Sequence, residues 1–124
     1  MEFEELSGRI IGCAIEVHRN LGPGLLESVY RRCLQQELHS GGLKFESEKQ
    51  VEIVYKGIRL DGPPLRVDLV VEEIVLVELK VVEKLLPVHE AQLLTYMKLT
   101  GCKIGLLINF DCRSIRDGLK RFIL

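Results

Sequence analysis

The sequence has no uninterrupted apolar run of membrane-spanning length. Its first residues, Met1-Glu2-Phe3-Glu4-Glu5, are acidic where a secretory leader would be basic. Four cysteines (Cys13, Cys33, Cys102 and Cys112) form no Cys-x-x-Cys pair, and no histidine follows at zinc-finger spacing, which argues against a structural zinc site. Each lies in or beside an apolar stretch, where a free thiol behaves as a small buried hydrophobe. These absences point to a soluble, cytoplasmic protein. There is no excess charge of either sign. Seventeen Lys and Arg face eighteen Asp and Glu, a net −1, so no bulk attraction draws the chain to a polyanion. Repeats, low-complexity segments and long linkers are also missing. What remains is one domain over residues 1–124, long enough to bury a core without staples.

The apolar pattern orders that domain. Leu6, Ile10, Ile11, Ala14, Ile15 and Val17 recur at helical spacing, predicting a helix over Glu4–Asn20. Leu21-Gly22-Pro23-Gly24 breaks it. A second helix is expected over Leu25–His39, with Leu26, Val29, Tyr30, Cys33, Leu34 and Leu38 inward, ending at Ser40-Gly41-Gly42. Phe45–Tyr55 alternates and reads as a strand. Leu65–Val71 and Ile74–Val82 read as a hairpin whose strands are apolar at nearly every position, as in strands covered on both faces. Pro87 opens a third helix to about Leu99, and Lys103–Asn109 is a further strand. Leu119–Leu124 is open between strand and helical turn. After the first helix the order is helix, three strands, helix, strand, which gives an α/β fold with a mixed sheet flanked by helices.

Charges interrupt the two most apolar strands. Asp68 lies within Leu65–Val71, and Glu78 and Lys80 lie within Ile74–Val82. A carboxylate there is costly unless it is paired or binds a cation. Glu78 and Lys80, two apart, share a face. Asp68 and Glu78 are ten apart. An odd number of unpaired residues around Glu72-Glu73-Ile74 sets Asp68 opposite Glu78, with Cβ atoms ~5 Å apart. A two-residue turn sets Asp68 against Val77 instead, and the carboxylates then meet only through a bulge or a diagonal reach. Two carboxylates so placed suit Mg²⁺ or Mn²⁺, which keep their waters and bind phosphate. The chemistry this serves is phosphodiester hydrolysis, with Lys80 positioning water or offsetting charge on the phosphate. The competing reading is a buried carboxylate–lysine network that only satisfies itself.

His89, Gln92 and Tyr96 fall on one stripe of the third helix, either as a polar wall beside the carboxylates or as a solvated face. Glu27 sits in the first turn of the second helix, where the helix dipole favours an acid. His18 is expected to be a satisfied histidine of the core or surface. Arg31-Arg32 and Arg113, Arg116, Lys120 and Arg121 are the basic clusters, able to meet backbone phosphate but without interleaved aromatics for stacking.

Asp68…Glu78-Leu79-Lys80 resembles the signature of the PD-(D/E)XK nuclease superfamily. Gly24-Leu25-Leu26-Glu27-Ser28-Val29-Tyr30 resembles the motif that names its small bacterial GxxExxY family. His89-Glu90-Ala91-Gln92-Leu93-Leu94-Thr95-Tyr96 extends the likeness, which runs from about Ile10 to Leu124. The resemblance implies a restriction-endonuclease-like core (αβββαβ) with an extra N-terminal helix. It implies Asp68, Glu78 and the Leu79 carbonyl as ligands of Mg²⁺ or Mn²⁺, Glu27 as an acid facing the site, and Lys80 as the catalytic lysine. Gln92 and Tyr96 match the Gln-x-x-x-Tyr pattern that lines the site in exonuclease-like members. The motif's proline is not beside Asp68; Arg66-Val67 precede it. The expected partner is nucleic acid, chiefly DNA, with a homodimer as a means of enlarging the binding surface. A non-catalytic module of the same fold, binding nucleic acid or a protein, is the alternative.

Overall fold

A computed structural model describes every residue from Met1 to Leu124. Helix α1 (Phe3–Leu21) turns Leu6, Ile10, Ala14 and Val17 inward, and helix α2 (Glu27–Ser40) buries Tyr30, Leu34 and Leu38. Leu26 does not join that face. It is the extended residue before α2 and is 73% exposed, because it lies outside the helical period. Between the helices Gly24 takes φ 100°, a left-handed conformation that favours glycine.

Strand β1 (Phe45–Val51) is shorter than the alternation predicts. The apparent continuation is a separate hairpin of β2 (Val54–Tyr55) and β3 (Ile58–Arg59). Lys56 and Gly57 both have positive φ, 50° and 78°, as a type I′ turn requires. A hairpin arm alternates as a long strand does, so the pattern carried no mark of the break. Strands β4 (Leu65–Val71) and β5 (Val75–Lys80) follow, then helix α3 (Pro87–Thr100) and strand β6 (Ile104–Asn109). A short 3-10 turn, Ile115–Gly118, leads to β7 (Leu119–Ile123), so the tail is a strand.

Five strands form one sheet in the order β1-β4-β5-β6-β7. Only β5 and β6 run parallel, and α3 supplies the crossover such a pair needs. The mixed sheet with three helices is consistent with the expected restriction-endonuclease-like fold. One face carries the larger core, where α1 and α2 meet Leu69, Val71, Val77, Leu79, Ile108 and Phe110. The other packs α3, through Leu93 and Met97, on Val70, Leu76 and Leu107. The approach of α3 is close: a Cβ on Gly105 would stand 2.4 Å from the Met97 sulfur.

Side-chain alternation fails at one level of the sheet. Leu69 and Val71 pack toward α1 and α2, yet Val67 joins the α3 side. On an unbroken strand all three would share a face. The switch falls at Asp68. On β1, Phe45 and Val51 likewise pack on opposite sides, with Glu48 at φ 50° between them. Ser47 pairs with Leu69 and Lys49 with Val67, so Glu48 stands level with Asp68.

Candidate metal and nucleic-acid site

The turn between β4 and β5 sets the register. Val71 pairs with Val75, leaving Glu72, Glu73 and Ile74 unpaired, an odd count. Glu72 and Glu73 have φ 52° and 60°, and the Ile74 N–H donates to the Val71 carbonyl at 3.0 Å. One step beyond the last ladder pair, Leu69 with Val77, Asp68 comes level with Glu78.

There the ladder stops, and carboxylates take the place of its bonds. The Asp68 N–H donates to Glu78 Oε1 at 3.0 Å, and the Leu79 N–H donates to Asp68 Oδ2 at 2.8 Å. The two acids close a fork between separating strands rather than standing off one face. Glu78 is 5% exposed, and Asp68 is half-buried beside it. Burial, and then the charge on Asp68, push the Glu78 carboxyl up to about 8. Glu27, from the first turn of α2, reaches the same fork. Its pKa is raised by burial first and by Asp68 second, while Lys80 and Arg31 oppose the rise.

Lys80 ends β5 on the α3 side. Its Nζ donates to Gln92 Oε1 at 2.9 Å, and Gln92 Nε2 donates to the Tyr96 hydroxyl at 3.1 Å. The helix stripe therefore holds the lysine beside the carboxylates. His89 is not part of this chain. Its Nδ1 accepts the Leu86 N–H at 2.9 Å, satisfying a free donor at the start of α3. His18 is buried, with Nε2 2.8 Å from the Cys112 carbonyl, and ties α1 to the loop after β6.

Tyr30 explains why Glu27 enters where it does. It is fully buried and stacked on Phe110 at 4.6 Å. Its hydroxyl donates to the Gly22 carbonyl at 2.6 Å and accepts the Leu25 N–H at 3.1 Å. The loop that delivers Glu27 is thus pinned at both ends of its turn.

The PD-(D/E)XK nuclease superfamily model matches residues 4–122, nearly the whole chain. The chain belongs to the PD-(D/E)XK nuclease superfamily. No curated protein and no solved structure matches it. Nucleases of this superfamily act on nucleic acid and generally use divalent metals.

The residues at the fork suit such an ion. All the donors are oxygens, the preference of Mg²⁺ and Mn²⁺. Burial first and the charge on Asp68 second raise the Glu78 carboxyl, and a cation between the two acids relieves that repulsion. No group of three His, Cys, Asp or Glu side chains is spaced as a ready cage, so the carboxylate pair needs backbone or water to complete a shell. A concavity of about 890 Å³ lies elsewhere, between the β2–β3 hairpin, Pro63-Pro64 and Leu99.

Two residues of this superfamily member escaped the sequence reading. Asn109, level with Lys80, is buried. It donates to the Val82 carbonyl at 2.8 Å and accepts the Val82 and Asp111 N–H groups at 3.1 Å each. It holds the chain just past Lys80, and the signal was a lone amide ending an apolar strand. Glu48 was the second, and a charged residue among charged residues carries no signal. The C-terminal basic cluster divides: Lys120 pairs with Glu90 at 2.8 Å, while Arg113 and Arg116 line a concavity with Arg19.

Proposed function

We propose that the chain is a divalent-metal-dependent nuclease hydrolysing phosphodiester bonds in DNA, built as one domain over residues 1–124 and belonging to the GxxExxY branch of its superfamily. The observation that carries this reading is the fork. Asp68 and Glu78 meet where β4 and β5 part, with the Leu79 peptide against Asp68 and Lys80 alongside. In this reading Asp68, Glu78 and the Leu79 carbonyl hold Mg²⁺ or Mn²⁺, with Glu27 facing the ion. When bound, the ion polarises the phosphate and lowers the pKa of a coordinated water. Lys80 holds the attacking water or neutralises charge gathering on the phosphate. Gln92 fixes the lysine, and Tyr96 fixes Gln92. Four free thiols suit the reducing cytoplasm.

The test is incubation of purified protein with single-stranded DNA, duplex DNA and RNA in Mg²⁺ or Mn²⁺, beside Lys80→Ala and Asp68→Asn. Cleavage by the wild type alone supports the enzyme, and equal cleavage by all three proteins marks a contaminant. A second reading, a non-catalytic module binding nucleic acid or a protein, draws on the missing three-ligand cage and the net charge of −1. Binding without cleavage under every condition would favour it. A homodimer would enlarge the binding surface, and sedimentation tests it.

A further inference from the structure

Asp68 and Glu78 form the fork, Glu27 faces it from α2, and Glu48 stands level with Asp68 on β1. An incoming phosphodiester meets repulsion from all of them, so its position depends on the cations at the rim. Lys80 occupies the α3 side, held by the neutral Gln92. Toward β1 stands Arg31, beside Glu48. It lies four residues past Glu27 on α2, one turn along the same face.

Arg31 is lightly held. Its guanidinium lies 3.4 Å from Glu48 Oε1, and its side chain is 18% exposed against 50% for Glu48. That separation exceeds the ~2.7–2.9 Å of a good charge-assisted bond. A pair with a half-exposed acid adds little stability. The remaining guanidinium donors bond to no other group. The residue that holds Arg31 is the one with left-handed backbone at the level of Asp68. Strained conformations of this kind persist where surrounding structure imposes them, often at sites of function.

We propose that Arg31 is a phosphate-binding residue of this site, parked on Glu48 until a nucleic-acid phosphate replaces that carboxylate. The inference rests on the nuclease reading and adds to it a second point of contact on the β1 side. Exchange is favourable because a planar guanidinium matches two phosphate oxygens at once, where Glu48 offers one long contact. Glu48 keeps the guanidinium from closing on Glu27 and Asp68 when substrate is absent. The phosphodiester then lies between Arg31 and Lys80, across the mouth of the fork.

The two partners should respond with opposite signs. Binding of fluorescein-labelled single-stranded and duplex oligodeoxynucleotides is measured by anisotropy across a salt series, in EDTA and in Ca²⁺. Arg31→Ala weakens binding about tenfold or more. It also flattens the slope of log affinity against log salt by ~0.7 for the single strand and ~0.9 for the duplex. Arg31→Lys keeps the slope but recovers only part of the affinity. Glu48→Gln tightens binding several-fold by freeing the guanidinium, and that gain disappears in Arg31→Ala/Glu48→Gln; a gain that persists there is only the loss of a repelling acid and overturns the proposal. A pair that only braces α2 against β1 would weaken binding in both Arg31→Ala and Glu48→Gln, and that result overturns the proposal. So does Arg31→Ala that binds like wild type at every salt concentration while wild type still cleaves DNA, an outcome that leaves the nuclease reading standing. Wild type that ignores both oligonucleotides but binds polyglutamate through Arg31 overturns both. Melting temperatures of each variant confirm the fold, and Glu48→Gln, which keeps size and polarity, remains informative should Arg31→Ala fail to fold.

Discussion

Replacing Glu78 with glutamine should make the metal-free protein more stable, by an amount that depends on pH. The glutamine oxygen still accepts the Asp68 N–H now bonded at 3.0 Å, so the substitution removes charge and little else. In the folded chain the Glu78 carboxyl is pushed up to about 8, from 4.5, by burial and then by Asp68. Because the folded value is the higher one, the stability tied to Glu78 is complete below pH 4.5 and is lost as pH rises through 8. Each pH unit across that window is worth about 1.4 kcal/mol. Glu78→Gln therefore gains nothing at pH 4, roughly 3 kcal/mol at pH 7 and roughly 5 kcal/mol above pH 8. At pH 7 that is a rise in melting temperature on the order of 10 °C. The assay is thermal unfolding in EDTA at a series of pH values, repeated with Mn²⁺. The cation should stabilise the wild type and do less for the variant, because it binds only where the carboxylate pair is intact. A variant no more stable than wild type at pH 8, or a gain that persists unchanged at pH 4, would refute the electrostatic account of the fork.

Three further outcomes follow from the geometry. Tyr30→Phe removes the bonds to Gly22 and Leu25 and should cost about 1–2 kcal/mol in urea unfolding, with cleavage reduced as the loop carrying Glu27 loosens; an unchanged unfolding midpoint counts against the pin. Gly105→Ala brings a Cβ within 2.4 Å of the Met97 sulfur and should destabilise by about 1–3 kcal/mol, and adding Met97→Ala should restore part of the loss. Gln92→Leu leaves Lys80 without its partner and should lower kcat about tenfold or more with KM little changed, a split that a loss of substrate affinity would not give.

The helices and the buried strands were legible because their signals are local. The 3.6-residue period of α1 and the glycines that end α2 depend only on neighbouring residues. The charges at Asp68, Glu78 and Lys80 were legible for a related reason, since an acid in an apolar strand demands an explanation wherever the strand lies. The register was not. A separation of ten positions between Asp68 and Glu78 admits two pairings, and the choice rests on Ile74. Its carbonyl faces the Ile104 N–H at 3.4 Å, so a residue of the turn is drawn toward β6 and out of the β4–β5 ladder. That is a contact thirty residues away in sequence. The end of β1 was hidden differently, because a hairpin arm and a strand share one alternation.

The same failure of pairing makes both the break in the sheet and the candidate site. Beyond Leu69 and Val77 the backbone donors of Asp68 and Leu79 lose their ladder partners, and two carboxylates accept from them instead. A peptide carbonyl in their place would close the sheet and remove the acids' reason to turn inward. The fork therefore has to be held open from outside itself. Tyr30 fixes the loop leading to Glu27 on one side, and Asn109 fixes the chain past Lys80 on the other. Both anchors are neutral, so neither competes with the carboxylates for a cation. Their hydrogen bonds hold Asp68, Glu78 and Glu27 near one another in a protein whose overall charge is nearly zero. A site of this kind is stable only because its repulsion is local and its supports lie in the core.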